Sequence, residues 1–385
     1  MRLTQLQVKN WRNFHEIDFR LGQRLIIVGA NATGKSNLLD VFRFLRDIAS
    51  PQGGLSSAID NRGGLSTIRN LNARNFNNGH VEILVTMEDR GEEWEYNLAI
   101  RQESAGRRRP VVAKEVVKRG GETILERPNK ADDADPVLLT QTHLEQIASN
   151  TSFRAVATFF EGIRYSHPSP QSIRHSSPTR TSSDAVGNGL IAEINATTER
   201  TRKSRLRKIQ AALQTAVPNF ESLRLEIDNA GQPHLVAAFK NWRKNPANQL
   251  ETEFSDGTLR LIALLWAVLS QPRSEGILLL EEPEISLNRE IIQQLPSMIA
   301  SVQRGKDMQV IMTTHSPDLL DDEGVANEEV LVLTRGDENT QARLLSEFPK
   351  ESGFVCSGIL DRIEVDTGVC GARMTQMGRN PFPTR

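Results

Sequence analysis

Alternation and clustering of apolar residues divide the chain into predicted strands and helices. Residues 3–8 and 17–19 alternate apolar with polar positions, which predicts two half-buried strands. The uninterrupted apolar run at 25–28 predicts a buried strand, and the apolar spacing of 37–45 predicts a helix soon after it. Later alternation predicts three strand pairs joined by glycine-containing turns, at 81–87 with 94–100, at 111–119 with 122–125, and at 223–227 with 234–239.

The middle of the chain has a different pattern. The segments 166–170 and 175–183 are rich in serine and proline, which predicts exposed loops. The segments 142–160 and 189–217 have helical periodicity, and Pro218 ends the second of them. We therefore predict a helical and loop subdomain inserted between two lobes of an α/β fold.

These changes in pattern also place the predicted domain boundaries. After the last hairpin come an apolar helix that runs to Ala267, two more buried strands at 277–280 and 309–312, and a strand that ends at 334–336. The predicted units are an N-terminal lobe at 1–127, the inserted subdomain at 128–218, a C-terminal lobe at 219–345 and a tail at 346–385.

One loop of the N-terminal lobe carries a motif with a defined chemistry. The stretch from Gly29 to Ser36 matches G-x-x-x-x-G-K-[ST] and lies between a predicted strand and a predicted helix, as this phosphate-binding loop requires. Backbone N–H groups and the helix N-terminus would face phosphate oxygens, Lys35 would reach the β- and γ-phosphates, and the Ser36 hydroxyl would ligate Mg²⁺. The predicted nucleotide-binding residues here are Gly29, Asn31, Ala32, Thr33, Gly34, Lys35, Ser36 and Asn37.

A second group of candidate residues follows the two buried strands of the C-terminal lobe. The run 277–280 ends in Glu281 and Glu282, and parallel strands carry such residues to the sheet edge where phosphates bind. We predict that Glu281 holds Mg²⁺, directly or through water, and that Glu282 orients or deprotonates the attacking water. His315 follows the run 309–314, where a histidine is able to hydrogen-bond a γ-phosphate and sense its loss.

Four further positions are candidates for contact with the nucleotide. Ser255 and Gly257 open the apolar helix, and this pair at a helix start makes an anion site as well as an N-cap. Arg12 lies in the turn between the first two strands, where it is either a phosphate or ribose contact or an ordinary surface arginine. Asn13 beside it is included in the predicted nucleotide site.

Composition narrows the class of protein further. The 385 residues are 38% hydrophobic and 25% charged, which is enough apolar material for the cores of two or three domains. The net charge of −1 means that polyanion binding must come from local patches. The two cysteines, Cys356 and Cys370, lack metal-type spacing and suit a reducing cytoplasm. Because the chain has neither a signal-peptide pattern nor an apolar run long enough to span a bilayer, we expect a soluble cytoplasmic protein with no membrane partner.

A basic run lies within the long predicted helix. Arg200, Lys203 and Arg207 would share one helical face. Such a face is either an ordinary solvated surface or a surface for a polyanion or a partner, with double-stranded DNA as the candidate polyanion.

Taken in order, these motifs resemble those of the ABC-type ATPase head, and most closely the RecF/SMC-like branch and the OLD-like AAA ATPases within it. The resemblance implies a mixed central sheet flanked by helices, an antiparallel β layer, and ATP and Mg²⁺ as cofactors. It covers 1–125 and 220–335 and rests on the turn at 11–14, the glycine loop, 255–260 as signature motif, 281–284 as Walker B and 313–317 as switch.

The resemblance also implies a mechanism. Heads of this kind pair head-to-tail around two ATP–Mg²⁺, so each ATP would meet the glycine loop of one subunit and Ser255 and Gly257 of the other. Hydrolysis would then loosen the pair, with Glu282 activating water and His315 sensing the γ-phosphate. ATP is in this way a reversible clamp.

The chain departs from the family pattern at several points. Glu281 stands where many such heads have Asp, and 286–289 stands where Leu-His-Pro is common. Gln171 is a candidate for the glutamine of the Q-loop. OLD nucleases continue into a Toprim domain with clustered acids, whereas Asp361 and Glu364 are too few and too near the end for one. We therefore expect the effector to be a separate polypeptide.

Two functions of different classes remain open. The first is an ATPase subunit that senses or holds DNA and drives a separate effector, such as a nuclease or Toprim-like protein, in bacterial anti-phage defence or DNA repair. The alternative is an ATP-dependent scaffold that turns over slowly, oligomerises and sequesters a partner protein. A transporter motor does not suit the inserted middle segment and the diverged signature.

Overall fold

Three β-sheets organise the described part of the chain. The computed structural model describes residues 1–71, 73, 79–103, 108–175, 185–242, 246–271, 276–336 and 339–348. Within these ranges the strands are, in chain order, β1 (Arg2–Trp11), β2 (Phe14–Arg20), β3 (Arg24–Val28), β4 (Val81–Asp89), β5 (Glu92–Gln102), β6 (Pro110–Arg119), β7 (Glu122–Arg127), β8 (Arg164–Ser166), β9 (Phe220–Ile227), β10 (Pro233–Phe239), β11 (Ala247–Leu250), β12 (Ile277–Glu281), β13 (Gln309–Thr314), β14 (Val330–Arg335) and β15 (Thr340–Leu344).

Helices connect the strands and cover the sheets. The α-helices of the described ranges are α1 (Lys35–Ala49), α2 (Leu55–Asp60), α3 (Leu65–Ile68), α4 (Lys130–Ala134), α5 (Arg154–Glu161), α6 (Pro170–Arg174), α7 (Leu190–Ala196), α8 (Glu199–Ala216), α9 (Asp256–Ser270) and α10 (Arg289–Gln303). Short 3-10 turns lie at Pro136–Thr140, Thr151–Phe153, Glu251–Glu253, Pro317–Asp321, Asn327–Glu329 and Leu345–Glu347.

The central sheet has six strands in the order β15-β14-β3-β13-β12-β8. All are parallel except β15, which pairs antiparallel with β14. Successive residues of β3 face opposite sides, so Leu25 and Ile27 join one apolar core, whereas Ile26 and Val28 join another. Because the sheet is covered on both faces, its strands consist of almost continuous apolar residues, as the sequence predicted.

The first core lies between the central sheet and a six-stranded antiparallel sheet of order β2-β1-β4-β5-β6-β7. Burial alternates along these strands; in β4, Val81, Ile83 and Val85 are fully buried while the residues between them are half-buried. Trp11 at the end of β1 is also fully buried and packs on Phe44 of α1. The predicted antiparallel β layer beside a mixed, helix-flanked central sheet is therefore confirmed.

The second core covers the other face of the central sheet. Its main element is α9, in which all but a few residues are buried and which packs against α6, α8 and α10. A small antiparallel sheet of order β11-β10-β9 packs on α8 and leads into the start of α9. This sheet fixes the position of the segment that contains Ser255.

Two helical predictions were wrong in extent. The periodic segment 189–217 is divided into α7 and α8, because Thr197 and Thr198 between them have non-helical backbone angles. In 142–160 only α5 and one 3-10 turn are helical. The N–H groups of His143 and Leu144 donate to the buried carboxylate of Glu115 instead of continuing a helix.

The structure adds three strands that the sequence analysis did not predict. The most important is β8, because it lies within the predicted insertion 128–218 yet forms an edge of the central sheet. The others are β11 and β15. The bounds of the four predicted units stay a prediction. Most of the serine-rich loop at 175–183 lies outside the described residues, as does the tail from 349 with Cys356, Asp361, Glu364 and Cys370.

No helix within the described ranges combines the length and the apolar character that crossing a membrane requires.

Candidate functional site

The predicted site residues converge because three of their strands are parallel neighbours. Strand β13 lies between β3 and β12, with Thr314 beside Val28 and Thr313 beside Glu281. The carboxyl ends of all three strands therefore meet at one edge of the sheet. The glycine loop follows β3, the acidic pair closes β12 and His315 follows β13, so the sequence order of these motifs becomes a single site.

Two residues of the glycine loop have left-handed backbone angles. Ala32 and Gly34 have positive φ angles of 65° and 100°, so the chain turns sharply before entering α1. A side chain at Gly29 would place its Cβ 2.7 Å from the carbonyl oxygen of Leu333 and 2.7 Å from Thr33 Oγ1. The loop is therefore packed against its neighbours and tolerates only glycine at this position.

The side chain of Lys35 lies inside the glycine loop. Its Nζ donates to the carbonyl oxygens of Gly29 at 2.7 Å and Ala30 at 3.2 Å, and the residue is 6% exposed. Burial lowers the pKa of Lys35, while the carboxylates of Glu282, Glu284 and Glu281 oppose that shift. Among the residues that the structure describes, the buried Lys35 ammonium group is hydrogen-bonded only to neutral carbonyl oxygens and has no bonded counterion. A bound anion such as a phosphate would therefore stabilise it.

Ser36 and Glu281 form the corner where a divalent cation fits. The Ser36 hydroxyl, at the start of α1, donates to a carboxylate oxygen of Glu281 at the end of β12. The other oxygen of Glu281 accepts from the hydroxyl of Tyr165 on β8. A hydroxyl and a carboxylate from two elements are the hard oxygen donors that Mg²⁺ prefers, so the donor set matches this cation.

Glu282 is held in an unusual backbone conformation next to the predicted switch. Its φ is +43°, a region that residues other than glycine seldom adopt, and its N–H donates to the carbonyl oxygen and to Oγ1 of Thr313, both at 3.2 Å. Its carboxylate lies 3.5 Å from Nδ1 of His315. The side chains of Glu282 and His315 are 30% and 46% exposed, so both are accessible from the glycine-loop edge.

A third carboxylate, Glu284, anchors the switch and was not among the predicted site residues. It is 3% exposed, and one of its oxygens accepts from Thr314 Oγ1 at 2.7 Å and from the N–H of His315 at 3.1 Å. The same oxygen lies 3.4 Å from Nδ1 of His315. The sequence signal for it was the acid that follows Pro283, to which no role was assigned.

Arg12, Asn13 and Asn37 brace the glycine loop from the side. Asn13 donates to the Thr33 carbonyl at 2.8 Å and accepts from Asn37 at 2.6 Å. Arg12 donates to Asn37 at 3.1 Å and to Asp40 of α1 at 2.7 Å. In this structure Arg12 therefore ties the β1–β2 turn to α1, and its predicted contact with nucleotide stays a prediction.

Ser255 and Gly257 form the exposed start of α9. Ser255 is the N-cap, because its hydroxyl accepts from the N–H of Thr258 at 3.2 Å. A Cβ at Gly257 would lie 2.6 Å from the carbonyl oxygen of Ser286, so this glycine packs directly on the turn after Walker B. Arg174 of α6 braces the same helix start through an ion pair with Asp256 at 2.7 Å.

Strand β8 supplies two residues that the sequence analysis missed. Tyr165 contacts Glu281 as described, and burial raises the pKa of its hydroxyl well above the usual range, so it stays a donor. His167 follows β8, and its Nδ1 donates to the Glu281 carbonyl at 2.8 Å. Gln171, the proposed Q-loop glutamine, is an exposed residue of α6. Because β8 has only three residues, no periodicity could have revealed it.

The predicted basic face is exposed on α8. Leu206, Ile209 and Leu213 turn toward the core, and the opposite side carries the cations. Lys203 pairs with Glu199 at 2.6 Å. The exposed cations of the predicted set are Arg200, Lys203 and Arg207.

Comparisons with a protein-family model and with solved structures agree with this geometry on the type of protein and on its fold. A family model described as AAA domain, putative AbiEii toxin, Type IV TA system matches residues 25–321, which is more than half of the chain. The chain belongs to this family. It is therefore an ATPase-type, nucleotide-binding AAA domain. No curated protein matches the chain.

Solved structures agree on the fold. An SMC head domain from Thermotoga maritima has a TM-score of 0.51 at 14% identity and covers 89% of this chain and 99% of its own. An SMC head bound to the C-winged helix domain of ScpA has a TM-score of 0.54 at 16% identity and covers 90% of this chain and 99% of its own. An SMC head with an extended coiled coil, bound to the C-terminal domain of ScpA derived from Pyrococcus furiosus, has a TM-score of 0.50 at 13% identity, with coverages of 94% and 99%. At these identities the likeness concerns the fold alone, which is that of an ABC-type, SMC-like ATPase head.

Proposed function

We propose that this protein hydrolyses ATP to ADP and phosphate in a site that two copies of the chain share, and that the resulting cycle of pairing controls a separate effector. The observation that carries the proposal is the meeting of Lys35, Glu281, Glu282 and His315 at one edge of the central sheet. A nucleotide-binding loop alone would serve any NTPase; a carboxylate beside a histidine adds the means to activate water.

The residues of the chain have separable roles in the reaction. Lys35 exchanges its bonds to the Gly29 and Ala30 carbonyls for bonds to phosphate oxygens. Mg²⁺, held by Ser36 and Glu281, would neutralise charge that develops on the phosphates. Glu282 orients the attacking water and accepts its proton, and His315 contacts the γ-phosphate. Because Glu284 bonds the His315 N–H and Thr314, it keeps the imidazole beside Glu282.

The exposed start of α9 supports a site completed by a second copy. Ser255 lies at the surface, with its hydroxyl capping a helix whose N-terminal dipole favours an anion. A head-to-tail pair would present Ser255 and Gly257 to the ATP that the partner binds. The two surfaces would then separate once the γ-phosphate is lost.

The effector and the trigger are proposed from the description of the family and from the exposed cations of α8. The family is described as a putative AbiEii toxin of a type IV TA system, which favours a protein that acts with or on another component. Anti-phage defence or DNA repair is the setting that we propose. Double-stranded DNA would bind along α8 through Arg200, Lys203 and Arg207, which are exposed on one face.

Two variants test the hydrolysis proposal. Glu282→Gln is expected to lower kcat on the order of 10²- to 10⁴-fold, the contribution of a general base, while ATP binding is kept. Lys35→Ala is expected to lose ATP binding itself. Phosphate release and binding of a fluorescent ATP analogue measure the two effects. Hydrolysis by Glu282→Gln at the wild-type rate would refute the proposal.

DNA dependence separates the DNA-sensing function from the scaffold function. Duplex DNA should stimulate phosphate release, and the triple Ala variant of the α8 face should weaken DNA binding and flatten its salt dependence. A matched control removes exposed cations of the antiparallel sheet instead, namely Lys9, Arg20 and Lys114. ATP turnover that ignores DNA, with ATP-dependent oligomers that retain a second protein, would support the scaffold.

A further inference from the structure

The turn that follows Walker B is strained and needs outside support. Glu282 and Ser286 have positive φ angles of 43° and 68°, although neither is glycine. Such conformations are unfavourable for residues other than glycine and persist only where the surroundings fix them. The position of the Glu282 carboxylate therefore depends on what holds this turn.

Part of that support comes from β13. The N–H of Glu282 donates to the Thr313 carbonyl and Oγ1, which fixes the amino side of the residue. These bonds lie within the central sheet, so they do not depend on the position of the signature segment at the start of α9.

Further support comes from within the turn, where the N–H of Ile285 donates to the Glu282 carbonyl at 3.3 Å, and from α9. The side chain of Arg260 is 3% exposed, and its Nη2 donates to the Glu282 carbonyl at 3.2 Å. Its Nε is buried without a hydrogen-bond partner among the described residues, and one oxygen of the neighbouring acid Glu284 is in the same condition. A buried guanidinium is costly, and this one is directed at the turn that carries the proposed general base.

A second contact joins the same two elements. Gly257 lies so close to Ser286 that a Cβ there would be 2.6 Å from the Ser286 carbonyl oxygen. The start of α9 thus packs on one end of the strained turn, while Arg260 bonds the other end. Arg260 is only five residues beyond Ser255, about 7.5 Å along the helix. The anion site at the helix start and the Glu282 backbone are joined by one rigid element.

We propose that Arg260 is a positioning residue that transmits occupancy of the Ser255–Gly257 signature to the Glu282 of its own chain. This inference rests on the proposed shared site. When the partner's nucleotide engages the start of α9, the helix, Arg260 and the turn from Glu282 to Ser286 move as one packed unit. Glu282 then moves fully into its working position, so each of the two sites accelerates hydrolysis in the other, and a site whose partner site is empty still hydrolyses ATP slowly.

Arg260→Met and Arg260→Lys test the inference in the full chain. Displacement of a catalytic group by about 1 Å costs on the order of a hundredfold in rate, so Arg260→Met is expected to slow single-turnover hydrolysis by at least about tenfold. ATP affinity and ATP-driven pairing, measured in the Glu282→Gln background, should stay within about twofold, since Arg260 is 3% exposed and lies beneath the surface that would meet nucleotide or partner. Arg260→Lys keeps the charge and one donor and should recover part of the rate.

Arg205→Gln is the matched control. The Arg205 guanidinium is partly buried over the Trp266 ring on the far part of α9, 5.1 Å from its centroid, so its loss also disturbs the helix but not the turn. Its single-turnover rate should match wild type.

Several results would overturn the inference. These are a folded Arg260→Met at the wild-type rate, an equal loss in Arg205→Gln, and ATP affinity that falls in parallel with the rate. If Arg260→Met does not fold, the shorter, uncharged Arg260→Gln takes its place, and a wild-type rate in that variant has the same consequence. Failure of the proposed function is distinguishable, because in that case Glu282→Gln itself would still hydrolyse ATP.

Discussion

The substitution Thr314→Val removes one hydroxyl group that donates a hydrogen bond to the buried carboxylate of Glu284. This carboxylate also holds the backbone of His315, the predicted switch. Glu284 is 3% exposed and accepts from Thr314 Oγ1 at 2.7 Å and from the His315 N–H at 3.1 Å. Its other oxygen is buried without a partner among the described residues. No second hydrogen bond at that oxygen therefore compensates for the loss of the bond from Thr314. A hydrogen bond to a charged group contributes about 1.5–3 kcal/mol, and we expect a loss of about 2 kcal/mol in the free energy of unfolding.

Urea unfolding at constant pH measures this loss from the shift in midpoint at a shared slope. Thr4→Val is the matched control, since Thr4 Oγ1 donates to a neutral acceptor, the Thr86 carbonyl, at 3.2 Å. The control should cost about 0.5–1.5 kcal/mol. If Thr314→Val costs no more than Thr4→Val, Glu284 is not the charged anchor described above. A drop in hydrolysis should accompany the loss, because His315 shares the same acceptor oxygen.

Two further predictions concern the support of the site. Tyr165→Phe removes the donor that orients Glu281, so the Mg²⁺ concentration needed for half-maximal ATP binding, measured by calorimetry, should rise roughly tenfold; an unchanged requirement would contradict the role of Tyr165. His234 bonds Glu251 at 2.8 Å, close to the start of α9, and this bond, with help from Asp228, raises the pKa of the histidine above its usual 6.5. The stabilising effect is therefore complete below about pH 6.5 and is lost as pH rises through the raised pKa, so the gap in urea midpoint between wild type and His234→Gln should be widest at low pH; a gap that widens with pH would contradict this assignment.

The residues of the candidate site were predictable where a short stretch of sequence carries both the strand and the polar side chains at its end. The glycine loop, the acids after β12 and the histidine after β13 each combine an apolar strand with a polar end, and strand geometry alone brings them to one edge. The antiparallel meander was predictable for the same reason, because its strands alternate and its turns contain glycine.

The missed residues depend on tertiary contacts that leave no local pattern. Tyr165 belongs to a strand of three residues whose pairing with β12 decides its role. Arg260 lies in an apolar helix, and only the approach of the Glu282 carbonyl gives it a function. The sequence does not reveal the break between α7 and α8. The helical spacing of apolar residues continues across Thr197 and Thr198, although the helical backbone is interrupted there.

The shared ATP site is tested most directly by mixing two inactive variants. Lys35→Ala has a disabled glycine loop, and Ser255→Arg has a blocked signature. A mixed pair contains one site built from the intact loop of one chain and the intact signature of the other. With equal amounts and random pairing, phosphate release is expected to rise above that of either variant alone, to at most about one quarter of the wild-type rate and to about a tenth of that value if the proposed coupling through Arg260 holds. A mixture that stays as inactive as its components, or Ser255→Arg that hydrolyses ATP alone at the wild-type rate, would contradict a site shared by two copies.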